Sequence, residues 1–83
     1  MIKKEDVIYV VMKKDDDKDY NIVCTCISKE VAVQKCIEDY SKEYGEEHEG
    51  YERTEFISRE MTRVKIYIGE YINIYYIVKQ KVV

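Results

Sequence analysis

Hydrophobic positions along the chain fall into short alternating runs, broken once by a stretch of helical spacing. "DVIYVVMK", Asp6 to Lys13, is dense in β-branched and aromatic residues, with Val7, Tyr9 and Val11 on one face and Ile8, Val10 and Met12 on the other. Apolar character on both faces predicts an interior strand. "KDDDKD" interrupts it as a polar turn. "YNIVCTCI" then places Tyr20, Ile22, Cys24 and Cys26 on one side and Asn21, Val23, Thr25 and Ile27 on the other, the alternation of a second strand.

At Ser28 the period changes. A serine hydroxyl can accept one of the unpaired amides of a first helical turn, and Glu30 just inside favours the positive end of the helix dipole. Beyond it Val33, Cys36, Ile37, Tyr40 and Tyr44 recur at helical spacing with Ala32 beside them, and Gly45 stands where a left-handed C-cap is wanted. "EEHEG" reads as a charged loop. "YERTEFISREM" fits two periods: Ile57, Met61 and Val64 suit a helix, whereas Thr54, Phe56 and Ser58 alternate as a strand. Extended structure is preferred for it, as an additional short element around residues 52 to 60. Val64, Ile66 and Ile68 alternate again, Gly69-Glu70 can form a type II′ turn, and Tyr71 to Lys79 returns as a long final strand.

The expected fold is therefore α+β: a four-stranded, mostly antiparallel sheet in the order strand, strand, helix, strand, strand, with the helix on one face. Two registers are open for the last hairpin. A two-residue Gly69-Glu70 loop pairs Ile68 with Tyr71, Ile66 with Asn73 and Val64 with Tyr75, leaving both faces mixed. A three-residue loop aligns Ile66 with Ile74 and Ile68 with Ile72, but asks Tyr71 for a left-handed conformation better suited to glycine. In either case one helix covers one face of the sheet. The opposite face is expected to keep a share of Val7, Tyr9, Val11, Val23, Tyr67, Tyr71 and Tyr75 beside Lys65 and Arg63.

Composition narrows the work such a fold can do. The 83 residues, 46% hydrophobic and 37% charged, suit one small soluble domain closed around a single core. A core of this size supplies little net stability, which makes homodimerisation an expected addition. Lys and Arg number 14 against 17 Asp and Glu, a formal charge of −3, which argues against direct binding of nucleic acid by counterion release and points to protein partners. No apolar run is long enough to span a bilayer and "MIKKEDVIYVV" lacks the features of a signal peptide, so a cytoplasmic protein with reduced cysteines is expected.

Candidate chemistry is sparse. Asp15, Asp17 and Asp19 open like a calcium loop, but Tyr20 stands where the turn glycine should be and Cys26 where the bidentate glutamate should be. Cys24, Cys26 and Cys36 could meet across strand and helix and, with His48, make up a zinc set on paper. A C-x-C within a strand lacks the turn geometry of a zinc knuckle, however, and the cysteines read as small buried hydrophobes. His48 is the only histidine, glycine-rich phosphate loops are absent, and no spacing suggests a nucleophile with its base. The expectation is no enzyme and no cofactor.

Two candidate interaction surfaces remain. One is acidic: Asp15, Asp16, Asp17 and Asp19 in the first turn, and Glu43, Glu46, Glu47 and Glu49 about the helix end, interleaved with Tyr40, Tyr44 and Tyr51. Such residues ordinarily form a solvated surface, but clustered carboxylates with aromatic rings can also imitate nucleic-acid phosphates in an Arg/Lys-lined groove. The other is the second sheet face, with Tyr9, Tyr67, Tyr71 and Tyr75 as its aromatic members.

The run "VIYVVMKK", a polar turn, "YNIVCTCISKEVAVQKCIEDY" and a terminal tyrosine-rich hairpin resemble small uncharacterised β-β-α-β-β proteins of phages and mobile elements of low-GC bacteria. The resemblance covers about half the chain and carries over no functional residue. That class includes anti-defence factors, CRISPR inhibitors among them, several of them acidic blockers of a nucleic-acid site. It implies a non-enzymatic module that inhibits a host nucleic-acid-processing protein in the host cytoplasm. The alternative is a homodimeric structural or regulatory module that binds a small ligand.

Overall fold

The computed structural model describes residues 6–14 and 20–82. Its elements are β1 (Asp6–Lys14), β2 (Tyr20–Cys26), α1 (Lys29–Tyr44), a 3-10 turn over Glu46–His48, β3 (Tyr51–Ser58), β4 (Met61–Ile68) and β5 (Tyr71–Val82). The strands form one antiparallel sheet in the order β2-β1-β5-β4-β3, with α1 lying across β2, β1, β5 and β4. The first and last strands thus meet at the centre, where β1 pairs with β5 from Asp6↔Val82 to Lys13↔Tyr75.

The class is α+β with one helix on the sheet, as expected, but the sheet has five strands and not four. The additional strand is β3, the segment whose pattern fitted two periods. An Arg59-Glu60 turn separates Ile57 from Met61 and Val64, and β3 pairs with β4 from Tyr51↔Tyr67 to Ser58↔Met61 with a bulge between Phe56 and Ser58. Pairing satisfies the outer edge of β4, a gain that a helix lacking a buried face could not match.

The helix boundaries follow from local chemistry. Ser28 is extended (φ −139°, ψ 155°) and its Oγ accepts from the Val31 N–H at 3.2 Å. Gly45 closes the other end at φ 87°, its N–H donating to the Ser41 carbonyl at 2.8 Å. Between them Ala32, Cys36 and Tyr40 are buried against Val11, Val64, Ile66, Tyr75 and Ile77 of the sheet. Each such aliphatic side chain contributes about 1.5–3 kcal/mol by leaving water.

The last hairpin adopts the two-residue register, and pairing runs unbroken from Met61↔Val78 to Ile68↔Tyr71. Gly69 takes φ 57°, which spares Tyr71 the left-handed conformation that a three-residue loop would demand. Turn chemistry therefore prevails over aliphatic matching. Its consequence is that Asn73 and Tyr75 face the helix, at 6% and 0% exposure.

That register corrects the expected membership of the second face. Alternation puts Tyr71, Asn73, Tyr75 and Ile77 on one side of β5, and the pairs Tyr9↔Lys79 and Val11↔Ile77 carry Val7, Tyr9 and Val11 to the same, helix-bearing side. Tyr9 and Val23 pack on the core there. Of the expected aromatic set, Tyr67 alone lies on the open face, beside Arg63 and Lys65.

Candidate functional site

The open face is built by period-two alternation from all five strands. At its centre β1 presents Ile8, Val10 and Met12 next to Tyr76, Val78 and Gln80 of β5, and β5 adds Ile72 and Ile74. Toward one edge β4 supplies Met61, Arg63, Lys65 and Tyr67, and β3 supplies Tyr51, Arg53 and Glu55. Toward the other edge β2 supplies Ile22 and Tyr20, opposite Met12 and Lys14. None of the other described elements lies over this surface. Ile22 is 69% and Ile72 43% exposed.

Charge on the face lies mostly on β3 and β4, with Lys14 of β1 near the β2 edge, and part of it is internally matched. Arg63 Nε donates to Glu55 Oε1 at 2.9 Å. That hydrogen bond and the guanidinium charge hold the Glu55 carboxyl below its usual range, and the same bond, with one to Tyr76, pushes Arg63 up. Lys65 Nζ stands 5.3 Å from the Tyr67 ring centroid, within cation–π reach. Tyr51 lies against Tyr67 at 6.1 Å between centroids, and Tyr20 meets Tyr76 edge-on at 5.6 Å. Tyr20 and Tyr51 were missed as face residues from sequence. The two-residue register of the last hairpin already contained the position of Tyr76, whereas Tyr51 required the β3–β4 pairing.

On the other side of the sheet a polar network joins β1 and β5 to α1. The Tyr75 hydroxyl donates to Asp39 Oδ2 at 2.7 Å and accepts from Asn73 Nδ2 at 3.0 Å. Asn73 Nδ2 also donates to Glu43 Oε1 at 3.3 Å, and Asn73 Oδ1 accepts from the Tyr44 hydroxyl at 3.2 Å. The Lys13 ammonium bonds to Glu43 and lies 3.7 Å from Asp39 Oδ2. Burial pushes the Glu43 carboxyl up, but hydrogen bonds from Lys13 and Asn73, with the Lys13 charge, outweigh it and hold Glu43 below its usual range.

This network changes the standing of the acidic residues. Glu43 is a structural anion turned to the sheet. Glu46, Glu47 and Glu49 are exposed at and after the 3-10 turn, beyond the end of α1. Asp15, Asp16, Asp17 and Asp19 lie outside the described residues. His48 stacks on Tyr71 at 4.5 Å between ring centroids, and Tyr71 lies 5.2 Å from Tyr44, so Tyr71 belongs to the helix-side edge.

The cysteines gather beneath the helix. Cys24 and Cys26 place their sulfurs 3.6 Å apart on β2, and Cys26 and Cys36 are buried. Burial, reinforced by the neighbouring thiol, pushes Cys24 up to about 11, and burial pushes Cys36 up to about 12. Cys24 and Cys36 are therefore protonated thiols at neutral pH and poor nucleophiles. Among the described residues no group of three or more His, Cys, Asp or Glu side chains is arranged to hold a metal ion, and no helix is long and apolar enough to cross a membrane. Comparison of the chain with protein-family models, with curated proteins and with solved structures returned no match.

Proposed function

We propose that the chain is a non-enzymatic protein-interaction module acting through its surfaces, in the manner of a phage-type inhibitor of a nucleic-acid-processing protein. The observation that carries this reading is the open sheet face, where aliphatic and tyrosine side chains from all five strands stand without a covering layer. Tyr20, Ile22, Tyr51 and Ile72 are exposed on it, and apolar and aromatic side chains gathered on one uncovered face are characteristic of binding surfaces.

The choice of a nucleic-acid-processing target rests on how charge is divided. Exposed Glu46, Glu47 and Glu49 lie beyond the helix end, whereas Arg53, Arg63 and Lys65 are on the open face. A carboxylate group of this kind favours fast, salt-sensitive association with a basic groove. The test is capture from a low-GC bacterial lysate at low and moderate salt, read by mass spectrometry, with the native chain and with Glu46→Lys, Glu47→Lys and Glu49→Lys combined. One dominant basic partner, weakened by salt and lost on charge reversal, is expected. Binding and salt dependence untouched by the reversal would end the acidic-mimic version.

A further inference from the structure

The open face rests on the reading above that it is an interaction surface, and we infer that its occupant is a second copy of this chain, packed sheet to sheet about a two-fold axis between β1 and β5. Three observations on this face point the same way.

The first is area. Five strands about 4.8 Å apart and about 8 residues long, at about 3.3 Å per residue, make a face of roughly 600 Å². Two such faces in contact remove about 1,200 Å², the lower bound for a stable, specific interface.

The second is the distribution of polarity. Ile8, Val10, Met12, Ile74, Tyr76 and Val78 form an apolar centre on β1 and β5, while the ion-paired residues are confined to β3 and β4. A two-fold axis between β1 and β5 stacks each apolar centre on the other. It also carries Arg53 and Glu55 to the periphery, where they remain hydrated, giving the apolar core and polar rim of a protein interface.

The third is the state of the cations. Arg63 is engaged by Glu55 and Lys65 by the Tyr67 ring, while Arg53 and Lys14 stand away from the aliphatic centre on β3 and at the end of β1, in a chain of formal charge −3. A single-stranded nucleic acid would need those cations, and the aliphatic centre offers it no phosphate contact. A second copy uses the aliphatic centre and leaves the cations in place.

Light scattering on the full chain, from about 10 μM to about 500 μM, tests this. The expected mass is twice 10.0 kDa. Ile74→Glu at the centre should raise the dimer dissociation constant at least about tenfold. Ile22→Glu, at a 69% exposed position that folding hardly uses, should weaken the dimer with an unchanged far-ultraviolet circular dichroism spectrum, and Glu47→Lys should leave it intact. A monomer throughout the range overturns the proposal, and a titration of that monomer with single-stranded oligonucleotide then reports whether nucleic acid takes the face. A dimer indifferent to both isoleucine substitutions in folded protein also overturns it, because the copies would then meet elsewhere. A monomer that still captures a salt-sensitive protein partner removes the dimer alone and leaves the interaction module standing.

Discussion

The hydroxyl of Tyr75, in the middle of the last strand, donates to Asp39 Oδ2 on the helix at 2.7 Å while its ring is fully buried. One side chain thus fills the core and fastens helix to sheet. Removing only the oxygen separates the two roles. Tyr75→Phe keeps the ring and leaves Asp39 and Asn73 each short of a partner, so urea denaturation should show a loss of about 1–3 kcal/mol. Lys13→Met touches the same network. The double variant should fall short of the sum of the singles, because residues sharing partners are coupled.

Gly50 and Gly69 should respond to alanine for different reasons. A Cβ at Gly50 would meet Ile66 Cγ2 at 2.7 Å and Tyr40 Cε1 at 2.9 Å, two buried side chains with no room to give. Gly50→Ala should therefore cost about 1–3 kcal/mol by overpacking. At Gly69 space is open but φ is 57°, so the cost of Gly69→Ala is conformational, about 1–2 kcal/mol, and Gly69→Asn should recover much of it. Thermal melts of the three variants check the ranking.

Cys36 should be inert in the folded chain. It is fully buried on α1 and its thiol is pushed up to about 12. Labelling with a thiol-reactive disulfide at neutral pH should modify it only as fast as the protein opens, whereas urea should expose all three cysteines at once. Prompt reaction of Cys36 without denaturant would show that the helix does not seal this part of the sheet.

Stability should fall at both ends of the pH scale. Glu43 is held below its ordinary 4.5 in the folded chain, so its contribution is present above that value and is lost as pH falls through the depressed folded value. Lys13→Met should flatten the acid limb. Cys36 and Tyr75 are raised by burial from 9.0 and 10.0, so the protonated forms that folding favours are retained below those values and stability declines as pH rises past them. Urea midpoints measured from acid to alkaline pH should trace a plateau between the limbs.

Local elements were legible because their determinants are local. Ser28 and Gly45 bracket α1 through backbone hydrogen bonds that reach only a few residues, and the apolar stripe through Cys36 and Tyr40 follows the helical repeat. The Gly69-Glu70 turn was legible in the same way, since a positive φ is a property of one residue. The β3 segment was only partly so, because Ile57 and Met61 kept the helical period visible until the Arg59-Glu60 turn and pairing with β4 overrode it. The candidate site was less legible still. Tyr9, Tyr71 and Tyr75 turned to the helix side while Tyr20 and Tyr51 came to the open one.

By itself, then, the amino-acid sequence determined what short-range chemistry can dictate: the strands with their alternation, one capped helix, a two-residue hairpin, a net acidic chain with few reactive groups. Tertiary structure decided which side of each strand meets the helix, because that depends on one pairing between chain ends, β1 with β5, that no local pattern encodes. That single pairing carries Val11 and Tyr75 inward, draws Lys13, Asn73 and Asp39 into one network, and leaves Val10, Ile74 and Tyr76 on a face with no layer of its own among the described residues.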